Sequence, residues 1–102
     1  MSSIYDQFVK SIGSLPVYTY EEVKSHSLIT DCWVILSNVF EGVDQSLVID
    51  VTSFIYKHPG GIHIMRPYLG QDCTDEFLKY HVEGHSDLYE IVMRLTIGVA
   101  LN

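Results

Sequence analysis

The sequence predicts an α+β domain, a small mixed sheet carrying two pairs of short helices. Cys32-Trp33-Val34-Ile35-Leu36 and Leu47-Val48-Ile49-Asp50-Val51 are apolar, β-branched runs of strand length. Around the turn His58-Pro59-Gly60-Gly61, and again around His81 and His85, the chain carries short segments with helix caps and helical spacing. With 102 residues, 47% hydrophobic and 19% charged, there is room for one core.

Ile4, Phe8, Ile12 and Leu15 recur at helical spacing, so residues 1–16 read as an amino-terminal extension with a short amphipathic helix, ended by Gly13 and Pro16. Lys10 is its one cation, which favours packing on the domain or a frayed arm over a membrane surface. The domain proper then spans residues 17–102. Val17-Tyr18-Thr19-Tyr20 reads as a strand, and Thr19 with Glu22 forms a capping box for a helix through about Ser25. Ser27 to Asp31 is a polar connection into the first long strand. Val39 to Val43 is expected to continue extended, with a turn at Asp44-Gln45-Ser46 and a return along Leu47 to Val51, a long hairpin.

Thr52 is a cap candidate for a short helix over Ser53 to Tyr56 that delivers His58. Ile62 to Tyr68 makes a second apolar helical turn, broken near Pro67 and closed by Gly70-Gln71. Asp72 and Thr74 are candidate caps for a helix through Phe77 to about Tyr80. After a loop holding His81 and His85, Ser86-Asp87 caps a final helix whose stripe is Leu88, Ile91, Val92 and Leu95. Gly98 is expected to end it, leaving Val99-Ala100-Leu101 as an edge strand.

The formal charge of -7 argues against nucleic acid and anionic membrane surfaces and suits a basic protein partner. Cys32 and Cys73 stand far apart in no metal-ligand spacing and read as reduced core thiols. The start Met1-Ser2-Ser3-Ile4 lacks the features of a signal peptide, and no stretch has the length of a bilayer span. The expectation is a cytoplasmic protein without a transmembrane anchor, acting as a monomer.

The most pointed local chemistry is His58-Pro59-Gly60-Gly61. Pro59 fixes its own φ and keeps His58 out of the helical region, while the paired glycines permit a sharp turn close to something bulky. An imidazole is thereby aimed. A zinc enzyme built on these histidines would need an acidic base and an open coordination position, and no such motif stands beside them.

In order along the chain, Tyr18-Thr19 with Glu22-Val23, Asp31-Cys32-Trp33-Val34, Asp50-Val51-Thr52 with Phe54, His58-Pro59-Gly60-Gly61, Gly70 with Asp72-Cys73-Thr74 and Phe77, Gly84-His85-Ser86, and Ile97-Gly98 resemble the cytochrome b5 family of haem-binding domains. The resemblance covers roughly Val17 to Leu101. It implies the cytochrome b5-like fold, with the two helical pairs forming a haem crevice, and noncovalent haem b as six-coordinate low-spin iron between two histidines. His58 is the first implied ligand. His85 is the second, on its Gly-His-Ser context and its distance to Gly98, with His81 as the alternative on its spacing from Phe77. Leu36, Val51, Phe54, Ile64, Met65 and Phe77 are implied to line the crevice, and Trp33 to lie in a secondary core behind it. Periodicity alone would assign these apolar residues to ordinary core.

The implied activity is electron transfer from a flavin reductase to an acceptor enzyme, by a carrier that is not itself an enzyme. The alternative is a module for haem sensing or transport. Two departures from the family pattern stand out: the chain is about eight residues longer between Cys32 and Asp50 than the resemblance leads one to expect, and Ile62-His63-Ile64-Met65-Arg66-Pro67 follows the double glycine where acidic residues are common. His63 is then expected at the rim.

Overall fold

The computed structural model describes residues 3–57, 62–80 and 86–101. Five strands form one sheet in the order β1-β5-β4-β3-β2, where β1 is Val17–Thr19, β2 Ser27–Leu28, β3 Asp31–Ser37, β4 Ser46–Asp50 and β5 Thr96–Leu101. The pairings are antiparallel except for β1 with β5, which is parallel, so the sheet is mixed.

The register of β3 on β4 explains why the sheet has two cores. Leu36 lies opposite Leu47 and Val34 opposite Ile49, while Ile35 lies opposite Val48. Because successive side chains point to opposite faces, the first two pairs join a large cluster on one side and the third a small cluster on the other. Helix α2, Tyr20–Lys24, closes the small side with the fully buried Val23. Its start is the expected capping box, Thr19 Oγ1 accepting from the Glu22 amide at 3.0 Å and Glu22 Oε1 accepting from the Thr19 amide at 3.2 Å. Trp33 packs here as expected, its ring 4.8 Å from Tyr18 and stacked on His26 at 3.5 Å.

The large side is covered by the 3₁₀ turn Ile55–Lys57, α3 Ile62–Met65 with the 3₁₀ turn Arg66–Tyr68, α4 Thr74–Tyr80 and α5 Ser86–Leu95. The amino-terminal segment is α1, Ile4–Ser11, continued by a 3₁₀ turn over Ile12–Ser14. It is capped by Ser3 and Asp6 and buries Phe8 and Ile12 in the same large cluster, leaving Ile4 exposed.

Several expectations are corrected. Val39 to Val43 is not extended: β3 ends at Ser37 paired with Ser46, and the intervening chain is a folded loop with Asn38 at φ 59° and Gly42 at φ 79°. These left-handed residues turn the backbone inward, so Phe40 and Val43 are buried instead of forming a hairpin tip. The connection after Ser27 contains a short strand, β2, whose two residues pair with Asp31 and Cys32. Thr52 does not cap a helix. Its hydroxyl accepts from the Cys32 amide at 3.0 Å and donates to Asp50 Oδ1 at 2.6 Å, while the Asp50 carboxylate also accepts from the Thr52 amide.

The last helix begins at Ser86, so Ser86 and Asp87 lie within α5, and its packed stripe takes Tyr89 and Met93 alongside Leu88, Val92 and Leu95, while Ile91 is half-buried. That helix passes at Leu95 straight into β5, and Thr96 Oγ1 donates to the Val92 carbonyl at 2.8 Å, satisfying a helix-end acceptor. Gly98 therefore sits inside a strand, and β5 is an interior strand between β1 and β4. A Cβ at Gly98 would lie 2.5 Å from the Tyr18 ring and 2.7 Å from the Pro16 carbonyl, so the glycine is required by the close approach of β1.

Candidate functional site

The site is assembled at the exposed edge of β3, where short chain segments are tied to the sheet one hydrogen bond at a time. The Gly70 amide donates to the Trp33 carbonyl, the Ile35 amide to the Gln71 carbonyl, and the Cys73 amide to the Ile35 carbonyl. The Ser37 amide then donates to Thr74 Oγ1 at 2.8 Å. Residues 70–74 thus continue the sheet beyond the two residues of β2, and Ile35 and Asp72 form a parallel bridge. The start of α4 is fixed by this, and with it Phe77. Just before the helix, Asp72 Oδ1 accepts from the Thr74 amide at 2.9 Å, an Asx-turn that leads the chain into it.

Gly70 enters this edge at φ 78°, with a hypothetical Cβ 3.0 Å from the Lys24 carbonyl, so the backbone both turns and presses on α2 there. On the other flank the Val51 amide donates to the Cys32 carbonyl at 3.0 Å, and the Phe54 and Ile55 amides donate to the Val51 carbonyl. The chain reaching Lys57 is therefore anchored to the first residues of β3.

Leu36, Val51 and Phe77 are buried in the large cluster, and Met65 packs against it half-buried. Phe54 is half-buried, whereas Ile64 is 49% exposed. Leu78, beside Phe77 on α4, is 47% exposed, and Tyr56 is also exposed. His58, His81 and His85 lie outside the described residues, as do Pro59, Gly60 and Gly61. His63 is exposed. His26, the remaining described histidine, is held by Asp31 Oδ1 at 2.8 Å and by its stack on Trp33.

Among the described residues no polar or charged side chain is buried, and no group of three or more His, Cys, Asp and Glu side chains could hold a metal ion. The large face thus offers an apolar wall and no competing ligand set. Such a wall suits a flat, largely apolar group. The thiols do not compete: burial raises Cys32, and burial, with Asp72 adding to it, pushes Cys73 up to about 12. A separate polar cleft, lined by Ser37, Asn38, Tyr68 and the acidic start of α4, has no such wall.

With this geometry in place, comparison with known proteins defines the class. Residues 19–100 match the family model described as cytochrome b5-like haem/steroid binding domain. The chain belongs to that family. It is 37% identical over 65 residues to a cytochrome b5 of Nicotiana tabacum, covering 64% of this chain and 42% of the tobacco protein. It is 36% identical over 69 residues to a fatty acid desaturase 2-like protein of Mus musculus, covering 68% of this chain and 12% of that protein. The chain therefore spans less than half the length of either curated relative.

Among solved structures, cytochrome b558 of Ectothiorhodospira vacuolata, a prokaryotic homologue of cytochrome b5, superposes with a TM-score of 0.65 at 31% identity, covering 83% of this chain and 98% of that one. The cytochrome b5 of Ostreococcus tauri virus 2 gives 0.65 at 27% identity, covering 82% and 95%. The fold is the cytochrome b5 fold. No helix of the described residues is long and apolar enough to cross a membrane.

Proposed function

We propose that the chain is a soluble, cytoplasmic, monomeric electron carrier, not an enzyme, which binds haem b noncovalently between His58 and His85. The observation that carries this reading is the pairing of an apolar wall free of buried polar groups with histidines on the segments that adjoin it. His58 directly follows the anchored turn Ile55–Lys57, and His81 and His85 fall between α4 and α5. Both segments border helices whose Met65, Phe77 and Val92 belong to or pack against one cluster.

When bound, haem would supply a one-electron iron couple, held by His58 and His85. The chain's own part is to present two neutral imidazole nitrogens and to keep water away with Leu36, Val51, Phe54, Ile64, Met65 and Phe77. A low-dielectric wall of this kind disfavours added charge and so tunes the potential. With two cysteines in no Cys-x-x-Cys-His arrangement, nothing supports covalent attachment. A flavin reductase as donor and an acceptor enzyme are the partners this reading requires, and the acidic side chains Asp72, Asp75 and Glu76 at the start of α4 suit basic ones.

The test is an absorption spectrum of the purified chain with one equivalent of hemin, oxidised and dithionite-reduced. A low-spin spectrum with resolved α and β bands on reduction is expected. A chain that takes up no hemin, or gives a high-spin spectrum, overturns the proposal.

A further inference from the structure

The amino-terminal helix lies outside the stretch matched by the family, residues 19–100, yet its side chains reach the wall assigned above to haem. A continuous series of rings makes the connection. Phe8 of α1 is 5.2 Å from Phe40, and Tyr5 is 6.4 Å from the same ring. Phe40, in the loop between β3 and β4, meets Tyr89 of α5 edge-on at 5.6 Å and 72°. Tyr89 in turn meets Phe77 of α4 at 5.7 Å and 83°. Phe8, Phe40 and Phe77 are all buried.

The loop is shaped for this contact. Its left-handed residues, Asn38 and Gly42, fold it back on itself, and a Cβ at Gly42 would sit 3.8 Å from the Tyr5 hydroxyl. The two segments that set this chain apart in sequence, the extension and the lengthened loop, therefore meet each other at Phe40. Edge-on ring pairs are directional as well as apolar, so each ring restricts the tilt of the next. Close-packed interiors transmit such restrictions, because a ring cannot move without its neighbours giving way.

We propose that α1 and the β3–β4 loop form a buttress in which Phe8, Phe40 and Tyr89 are positioning residues that hold Phe77 against the haem. This rests on the haem reading above. Phe40 is the keystone, since its ring meets rings of both α1 and α5. The function served is haem retention: fixing Phe77 holds the apolar wall in place against the haem.

The experiment follows loss of hemin from the 102-residue chain to excess apomyoglobin, with the thermal midpoint of each hemin-free variant measured alongside. Phe40→Ala should speed hemin loss about fivefold, the effect of one or two ring contacts, and Phe40→Leu should restore most of the difference. Phe8→Ala should speed loss in the wild-type background but not in Tyr89→Leu, where the connection is already cut, although it lowers the hemin-free midpoint in both. Rates that multiply independently in the Phe8→Ala/Tyr89→Leu cycle overturn the buttress. So do unchanged hemin-loss rates in the single variants. A wild-type chain that binds no hemin fails at the first step and overturns the haem reading itself, which separates the two failures.

Discussion

On one face of the sheet Val23, Ile35, Val48 and Ala100 close on each other beneath Tyr18, Tyr20 and Trp33. On the other, a larger cluster gathers residues from β3, β4, α1, α4 and α5, and its helical border leaves Ile64 and Leu78 about half-exposed. The small face satisfies itself: its rim histidine is paired with Asp31 and stacked on Trp33, and Val23 and Val48 are fully buried. The large face joins a folding core to an apolar border that a ligand could cover. Burial in the first serves the fold; under the proposed function, burial in the second is shared between fold and cofactor.

The largest effects should come from the histidines on which the proposed function rests. His58→Ala and His85→Ala should each abolish the low-spin spectrum, whereas His81→Ala and His63→Ala should preserve it, read by absorption after hemin addition. A high-spin product from His81→Ala alone would move the second ligand to His81. Next in size is Ile35→Ala on the small face, expected to cost about 2–5 kcal/mol of stability in urea titrations with or without hemin. Its hemin-loss rate should stay within about twofold of wild type, while Leu36→Ala, one residue along and on the opposite face, should both destabilise and release hemin faster. Equal hemin loss from both would erase the distinction between the faces.

Gly98→Ala tests the crossing of β1 over β5. Forcing a methyl against Tyr18 and the Pro16 carbonyl should cost about 1–3 kcal/mol, with the hemin-bound spectrum unchanged. The smallest effect at neutral pH belongs to Cys73. Burial, with Asp72 adding to it, pushes the Cys73 thiol up to about 12 from its ordinary 9.0, so between those values the unfolded chain loses a proton that the folded chain keeps. Its contribution to stability is therefore complete below about pH 9 and declines as pH rises toward 12. Comparing wild type with Cys73→Ala, the stability difference should shift toward the variant only above pH 9; a shift already present at pH 7 would contradict the assignment.

Much of this was legible because it is local. The Thr19/Glu22 capping box needs only residues three apart, and the strand runs at Cys32 and Leu47 carry their own apolar pattern. The order of motifs along the chain marked Phe77, Leu36 and Val51 as crevice lining, and the fold gathers all three in the large cluster. What failed was context. Val39 to Val43 has the composition of a strand, but the left-handed residues at Asn38 and Gly42 and the pull of Tyr5 and Phe8 on Phe40 fold it inward. Gly98 resembles a helix stop, and only the neighbouring Tyr18 ring shows that it is a strand residue with no space for a side chain.

By itself the sequence determined the α+β class, the two principal strands, the short capped helices and the histidines on which the proposed function rests, since each is written in spacing and residue type within a few positions. The tertiary structure decided that β5 lies inside the sheet, that residues 70–74 extend the edge of β3, and that α1 reaches α4 through Phe40 and Tyr89. These depend on contacts between residues dozens of positions apart. No local pattern encodes them, because the free energy that selects such pairings comes from burying surfaces that meet only once the chain has folded.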